Sequence, residues 1–118
     1  MLITEKNNLY IVDWDAPLLA PKERDLMFIG GGIDTIWKSE RDEALFYEGY
    51  GKTEINIAAL AYYRYERIIE DLVAYCEQLI LTNEGGSDRE QAYKRFTINF
   101  KPGRTIEIAD KTVKLLKN

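Results

Sequence analysis

The sequence contains no histidine and a single cysteine among its 118 residues. The missing histidine excludes the Ser-His and Cys-His arrangements that activate a nucleophile. A lone cysteine cannot form an internal disulfide, and there is no cysteine cluster that could bind zinc. We therefore interpret Cys76 as a small buried apolar residue.

Basic runs and long apolar runs are also missing. The net charge is −4 at pH 7, and there is no run of Lys or Arg, so nucleic acid is not an expected partner. No apolar run approaches the ~20 residues of a membrane helix. Glu5 and Lys6 interrupt the apolar start too early for a signal peptide. We therefore expect a cytoplasmic protein with no membrane partner.

The apolar content is sufficient for one folded domain. Apolar residues make up 46% of the chain, which argues against disorder. A chain of this length buries well over half of its unfolded surface when it folds. We therefore treat residues 1–118 as a single domain.

The N-terminal residues predict a small β-hairpin. Residues 2–4 and 9–12 are short strand-like runs, and Asn7 and Asn8 between them tolerate the conformations of a tight turn. Two strands are marginal on their own. The hairpin must therefore lean on other structure.

The rest of the chain predicts about five helices and a mainly α fold. Residues 55–82 carry apolar residues at every third or fourth position, which is one face of a helix. The other predicted helices cover 21–29, 40–49, 88–100 and 105–117. Ser39 and Ser87 each begin a capping box, and the glycines at 30–32 end the helix before them. The alternation over 105–108 also permits a strand there.

The most informative stretch is residues 9–15. A strand-forming run brings Asp13 to the end of a strand, and Asp15 follows two residues later. Two such carboxylates suit Mg²⁺, which takes a few carboxylate oxygens and shares its remaining coordination with water and phosphate. We therefore predict Asp13 and Asp15 as metal ligands. A solvated loop acid is the open alternative for Asp15.

These residues resemble a known family. Residues 11–15 read Ile-Val-Asp-Trp-Asp, and residues 23–26 read Glu-Arg-Asp-Leu shortly after Pro21. This pattern resembles the metal-binding segment and following helix of the aminoglycoside phosphotransferase and choline kinase-like family, with spectinomycin phosphotransferase-type members the most similar. The resemblance covers nearly the whole chain as the C-terminal portion of a kinase. It implies a fragment of a protein kinase-like C-terminal lobe.

The resemblance also implies the cofactors, which are ATP and Mg²⁺ in the complete enzyme. Asp13 matches the aspartate that binds the Mg²⁺ bridging the β- and γ-phosphates of the nucleotide. Asp15 would assist through water or a second ion. Asp25 matches a structural aspartate whose carboxylate accepts N–H bonds from the catalytic-loop backbone. Without the resemblance, Asp25 is an acid near a helix N-terminus, which the helix dipole favours.

The substrate of the complete enzyme would be a small cationic or hydroxylated molecule. In this family the C-terminal helices form much of the acceptor cleft, where carboxylates and aromatic faces can hold a cation. The predicted substrate-binding residues are Trp14, Asp34, Trp37, Glu40 and Asp42. Plain packing is the alternative for Trp37, and a solvated helix start is the alternative for Glu40 and Asp42.

Several parts of the family pattern are absent from the chain. It has no Gly-rich nucleotide loop, no strand lysine with its helix glutamate, and no His-Gly-Asp catalytic loop. Phosphoryl transfer needs positioning and charge neutralisation together, so we predict no catalytic residue in this chain. We expect a kinase fragment that is inactive alone. The alternative is a non-catalytic helical module that binds a partner or self-associates, and uncovered apolar surface predicts a homodimer.

Overall fold

The computed structural model describes residues 2–12, 17–32, 38–82 and 85–117. Within these ranges the chain is mainly helical and has one antiparallel hairpin. The elements are β1 (Leu2–Ile3), β2 (Leu9–Tyr10), α1 (Glu23–Leu26), α2 (Glu40–Tyr50), α3 (Ile57–Cys76), a π-helical segment (Glu77–Leu81), α4 (Ser87–Ile98) and α5 (Thr105–Leu115). The predicted hairpin followed by five helices is confirmed.

The hairpin joins two very short strands. Leu2 pairs with Tyr10, and Ile3 pairs with Leu9. Asn7 turns the chain with a φ of 57°, a left-handed conformation that asparagine adopts more readily than most residues. The paired residues are fewer than the sequence predicts. Among the described residues the hairpin packs against no helix.

Helix α3 is the centre of the fold and packs against α1, α4 and α5. Asn56 caps its N-terminus, because the Asn56 side chain accepts a hydrogen bond from the Ala59 N–H at 3.1 Å. Ala61 and Ile68 are buried, so the predicted apolar face is the face that packs. The predicted helix continues beyond Cys76 as the π-helical segment, whose turns are wider than those of an α-helix.

The core between these helices is small. The buried apolar residues are Leu26, Met27, Ile29, Leu60, Ala61, Ile68, Ala92 and Ala109. Ala109 is completely buried, and its small side chain lets α5 approach α3 closely. A polar contact joins the next pair of helices, since the Thr105 hydroxyl donates to the Asn99 side-chain oxygen at 2.5 Å. That contact ties the end of α4 to the start of α5.

Two predicted helix boundaries are wrong. The predicted helix over 21–29 is α-helical only over Glu23–Leu26, because the chain then turns and Gly30 and Gly31 adopt positive φ angles of 78° and 88°. The capping box predicted at Ser87 does not form. Gly86 occupies the cap position with a φ of 96°, and the Ser87 side chain provides no cap hydrogen bond.

Two other local predictions are confirmed. The Ser39 hydroxyl accepts a hydrogen bond from the Asp42 N–H at 3.1 Å, so Ser39 caps α2 as its spacing indicates. Residues 105–108 belong to α5, which excludes the strand alternative.

None of the helices in the described part of the chain is long and apolar enough to cross a membrane. Cys76 is half-buried, so its predicted burial is only partial.

Candidate functional site

Five of the predicted site residues lie outside the described residues. They are Asp13, Trp14, Asp15, Asp34 and Trp37. Within the described residues, no three acidic, cysteine or histidine side chains gather in a way that could hold a metal ion. The metal-binding role of Asp13 and Asp15 therefore stays a prediction.

Helix α1 presents its two acidic residues to different environments. Glu23 is 3% exposed and Leu26 is 2% exposed, because residues three apart share one face of a helix. Asp25 falls on the exposed side of α1. An exposed carboxylate can accept hydrogen bonds from another segment, which is the role that the resemblance implies for Asp25.

Glu23 connects α1 to the start of α3. Its carboxylate accepts a hydrogen bond from the Asn56 backbone N–H at 2.9 Å and one from the Lys22 ammonium at 3.0 Å. The Asn56 bond and then the Lys22 bond lower the pKa of Glu23, while burial opposes them. Glu23 is therefore a structural anion that fixes α1 against the cap of α3.

Glu23→Gln should weaken the fold by about 1 kcal/mol at neutral pH, because a neutral amide accepts these bonds less strongly. The folded-state pKa of Glu23 lies below its unfolded value. The stabilisation is thus present above the unfolded pKa of about 4.3, and it is lost as the pH falls through the folded pKa. The free energy of unfolding, measured by urea denaturation from about pH 7 to about pH 3, should fall less steeply with decreasing pH for Glu23→Gln than for the parent. Glu48→Gln, at an exposed residue of α2, is the control and should keep the parent slope. An unchanged slope in Glu23→Gln would contradict this assignment.

A glycine turn leads from α1 toward the segment that contains Asp34 and Trp37. Gly32 donates its N–H to the Phe28 carbonyl at 3.2 Å, and it is buried. A Cβ atom at Gly32 would lie 1.6 Å from the Met27 carbonyl oxygen. Only glycine fits this turn, so the triplet is a tight loop, as predicted.

The guanidinium of Arg64 fixes the same turn from helix α3. Arg64 donates to the Met27 carbonyl at 3.2 Å and to the Ile29 carbonyl at 2.6 Å. It also donates to the Thr112 hydroxyl of α5 at 2.6 Å. One side chain thus joins α3, α5 and the turn. These bonds also explain why the turn can leave the α-helical pattern, since Arg64 replaces the helical N–H groups as the partner of two carbonyls.

The charge of Arg64 is held in a partly buried position. Burial lowers the pKa of Arg64, and the nearby Glu43 carboxylate and Tyr47 hydroxyl act against that decrease. Burial also raises the pKa of Tyr47, and Glu43 adds to that increase. Arginine stays protonated in proteins, so its charge-assisted bonds to the turn persist at neutral pH.

Arg64→Met should lower the free energy of unfolding by about 2–3 kcal/mol, because it leaves the Met27 and Ile29 carbonyls without their charged donor. Arg64→Lys should lie between the parent and Arg64→Met, since lysine keeps the charge but lacks the planar fork. Arg67→Met is the matched control. Arg67 is on the same helix and pairs with Asp71 at 3.1 Å, and 41% of its side chain is exposed. Arg67→Met should therefore lower the free energy of unfolding by less than about 1 kcal/mol. Equal losses at both arginines in urea unfolding would contradict the role given to Arg64.

Glu40 and Asp42 lie in the first turn of α2, and both are exposed. Acidic residues at this position interact favourably with the positive end of the helix dipole. Helices α1 and α2 do not pack against each other. The structure therefore does not bring Asp25 together with Glu40 and Asp42.

A cleft of about 590 Å³ lies elsewhere, between the π-helical segment and α4. Its lining residues are Leu79, Gly86, Arg89, Glu90, Tyr93 and Lys94. Of the predicted site residues that the structure describes, neither Asp25 nor Glu40 nor Asp42 lines this cleft. Its chemistry is mixed, with both signs of charge and one aromatic ring, and it does not resemble the predicted acidic substrate site.

A solved structure is similar to nearly the whole of this chain. It matches 94% of the chain with 44% identical residues and a TM-score of 0.80, and it is a spectinomycin phosphotransferase in complex with ADP and spectinomycin. Over the residues that match, this chain is similar to spectinomycin-type aminoglycoside phosphotransferase-like proteins. The chain spans 34% of the length of that phosphotransferase chain. No protein-family profile matches the chain, and no curated protein matches it.

The resemblance seen in the sequence is therefore confirmed. The ADP in the related structure agrees with the predicted use of ATP by that enzyme, and its spectinomycin agrees with a small-molecule substrate. The individual metal and substrate residues stay predictions.

Sequence reasoning missed two residues that hold this region together, Glu23, which fixes α1 against the cap of α3, and Arg64, which fixes the turn after α1. Glu23 precedes the buried Leu26 by three residues, and that spacing places both on the same helix face. Arg64 follows Ala61 by three residues and precedes Ile68 by four, which places it on the apolar face of α3. A charged residue on an apolar face was the available signal in both cases.

Proposed function

We propose that this chain supplies the metal-binding and acceptor-side portion of an ATP- and Mg²⁺-dependent phosphotransferase. The similarity to spectinomycin phosphotransferase over 94% of the chain carries this proposal. The reaction would move the γ-phosphoryl group of ATP to a hydroxyl oxygen of a small molecule, with ADP as the leaving group and the hydroxyl proton passing to a base.

Asp13 would bind the Mg²⁺, with Asp15 as a second ligand that acts directly or through water. Carboxylate oxygens are the donors that Mg²⁺ prefers, and a site of one or two carboxylates leaves room for phosphate oxygens. The ion, when bound, neutralises the charge on the phosphates. Asp25 would position the catalytic loop by accepting N–H bonds, and it would not contact the reacting atoms.

The acceptor side of the site would use Trp14, Asp34, Trp37, Glu40 and Asp42. Aspartate and glutamate would attract a cationic substrate, and the indole rings would offer faces for cation–π contact. The exposure of Glu40 and Asp42 leaves both carboxylates accessible to a ligand. A small cationic or hydroxylated molecule of the spectinomycin kind fits this chemistry.

The chain alone should not transfer phosphate. It spans 34% of the related phosphotransferase chain, and the catalytic base and the phosphate-binding loop of the family pattern are not among its residues. A single metal ligand without positioning supplies only part of the required barrier reduction.

A hybrid enzyme tests the proposal. In it, this chain replaces the matched part of spectinomycin phosphotransferase, and ADP release is measured with ATP, Mg²⁺ and spectinomycin. We expect spectinomycin-dependent ADP release by the hybrid and none by the chain alone. The alternative proposal, a self-associating helical module without phosphotransferase function, requires a folded hybrid with no such activity and a chain that sediments as an oligomer.

A further inference from the structure

Helix α2 carries two of the proposed acceptor residues, Glu40 and Asp42, but has little packing of its own. None of its residues is buried, and it packs closely against none of the other described elements. Both acids lie in the first turn of this helix, so apolar packing does not fix their positions. Polar contacts at the start of α2 therefore have to hold this turn on the rest of the fold.

Lys38 makes such a contact. Its ammonium donates to the Gly103 carbonyl oxygen at 2.5 Å, and 65 residues separate the two in the chain. Gly103 lies in the turn between α4 and α5. Lys38 immediately precedes Ser39, the cap of α2. The bond thus ties the first turn of α2 to a distant turn of the fold.

Two glycines leave room for the Lys38 side chain. A Cβ atom at Gly31 would lie 3.1 Å from Lys38 Cγ, and a Cβ atom at Gly103 would lie 3.1 Å from Lys38 Nζ. Both distances are shorter than an ordinary van der Waals contact. The lysine side chain therefore runs from the turn after α1 to the turn before α5, close to the backbone at both ends.

The turn that receives Lys38 is itself held by α5. The Glu107 carboxylate accepts a hydrogen bond from the Gly103 N–H at 2.7 Å and pairs with Lys111 at 2.6 Å. The Lys111 bond and then the Gly103 bond lower the pKa of Glu107, and the charge of Lys38 lowers it further. Helix α5 packs against α3. Lys38 therefore attaches α2 to the helical core.

A second contact lies further along α2. A Cβ atom at Gly30 would lie 3.3 Å from Glu43 Oε2 and 3.5 Å from Arg64 Nη2, so the Glu43 carboxylate and the Arg64 guanidinium are both close to this turn. One contact leaves a helix free to pivot, whereas two contacts along its length set its direction. Without Lys38, α2 would pivot about Glu43, and its first turn would lose its fixed position.

We infer that Lys38 is a positioning residue of the acceptor site, and that its bond to Gly103 fixes the Glu40 and Asp42 carboxylates where the substrate binds. The inference rests on the proposed function, which places these carboxylates at the acceptor. It adds a residue that acts on the affinity for the acceptor without contacting the acceptor, the nucleotide or the metal. A change at Lys38 should therefore weaken acceptor binding and leave ATP binding unchanged.

The hybrid enzyme tests this role through its affinity for spectinomycin, which calorimetry measures without turnover. Lys38→Met keeps an apolar stem but removes the ammonium. It should raise the Kd at least about tenfold, the loss expected for one charge-assisted hydrogen bond to the substrate. Lys38→Arg keeps a cationic donor and should bring the Kd back to within about threefold of the parent value. The Kd for ATP should be the same for the parent and both variants.

The matched control is Lys114→Met. Lys114 is an exposed lysine of α5, and its replacement should leave the Kd for spectinomycin within about twofold of the parent value. An unchanged Kd in Lys38→Met would overturn the inference, and so would an equal rise in Lys38→Met and Lys114→Met.

A mutant cycle separates positioning of the two carboxylates from a general effect on the fold. The double variant Glu40→Gln, Asp42→Asn should itself raise the Kd for spectinomycin. Adding Lys38→Met to it should raise the Kd by less than about twofold more, because the groups that Lys38 positions are already neutral. A full tenfold rise in that background would overturn the inference, since Lys38 would then act through other residues.

Amide hydrogen exchange in the 118-residue chain gives a measurement that does not need the hybrid. A helix as short as α2 is marginal in water without tertiary contacts. Lys38→Met should therefore speed exchange of the α2 amides at least about fivefold and leave the α3 amides at the parent rate. Exchange of the α2 amides at the parent rate would overturn the inference.

The inference and the proposed function fail differently. Phosphoryl transfer by a hybrid whose Kd for spectinomycin does not respond to Lys38→Met would contradict only the inference. Spectinomycin binding that depends on Lys38, in a hybrid that transfers no phosphoryl group, would contradict only the proposed transfer. A folded hybrid that does not bind spectinomycin would contradict both.

Discussion

Asp13→Asn in the hybrid enzyme should lower kcat at least about 10³-fold, which is about 4 kcal/mol of barrier. Asparagine keeps the size of aspartate but removes the negative charge that, in the proposed role of Asp13, would hold Mg²⁺ against the phosphates. Phosphoryl transfer relies on positioning and charge neutralisation, so the loss should appear in the chemical step. The rate of ADP release at saturating ATP and spectinomycin measures it. Raising the Mg²⁺ concentration should recover part of the rate if Asp13 is a metal ligand.

Two further variants, Asp88→Asn as a control and Asp15→Asn at the neighbouring acid, make this prediction more specific. Asp88→Asn removes an exposed carboxylate from the first turn of α4, and it should leave kcat within about twofold. Asp15→Asn separates the two alternatives for Asp15, because a metal ligand would change the Mg²⁺ dependence and a solvated loop acid would not. A hybrid that keeps its parent kcat with Asp13→Asn would contradict the metal assignment.

Gly32→Ala should destabilise the fold by more than about 4 kcal/mol. Losses this large have only a few causes, and one of them is steric overlap with backbone atoms. The new Cβ atom would lie 1.6 Å from the Met27 carbonyl oxygen and 2.7 Å from its carbon. Both are backbone atoms, so no side-chain rotation relieves the overlap. The turn must open, and the bonds from Arg64 to the Met27 and Ile29 carbonyls must break. Urea unfolding followed by circular dichroism measures the loss.

Gly49→Ala is the matched control for this change. Gly49 lies within α2, and a Cβ atom there would meet nothing within 4 Å. Alanine should stabilise the helix by about 0.5–1 kcal/mol, because it loses less conformational entropy on folding than glycine. The two glycine variants should therefore have effects of opposite sign. A Gly32→Ala protein within about 1 kcal/mol of the parent would contradict the close approach at this turn.

Local patterns in the sequence were sufficient to predict most of the helices. The apolar spacing that includes Ala61 and Ile68 identified α3 and its packed face. Ser39 was recognised as a cap because a serine three residues before an acid can accept a hydrogen bond from a free backbone N–H of the first helical turn. Ser87 has the same local pattern but does not cap α4. Gly86 takes the cap position instead because its φ of 96° is open to glycine.

The contacts that hold the candidate site could not be read from local patterns. Glu23 bonds to Asn56, which is 33 residues away, and Arg64 bonds to Thr112, which is 48 residues away. Such partners are decided by how the helices pack, not by the propensities of neighbouring residues. The resemblance in residues 11–15 and 23–26 supplied the family, which helical periodicity alone cannot do, since one fold hosts many functions.

The measurement that tests the central claim most directly is spectinomycin-dependent ADP release by the hybrid enzyme in the presence of ATP and Mg²⁺. If this chain is the metal-binding portion of a phosphotransferase, the hybrid should release ADP only when spectinomycin is present, and Asp13→Asn should abolish that release. A folded hybrid that binds ATP but releases no ADP with spectinomycin, or one whose activity does not depend on Asp13, would contradict the claim.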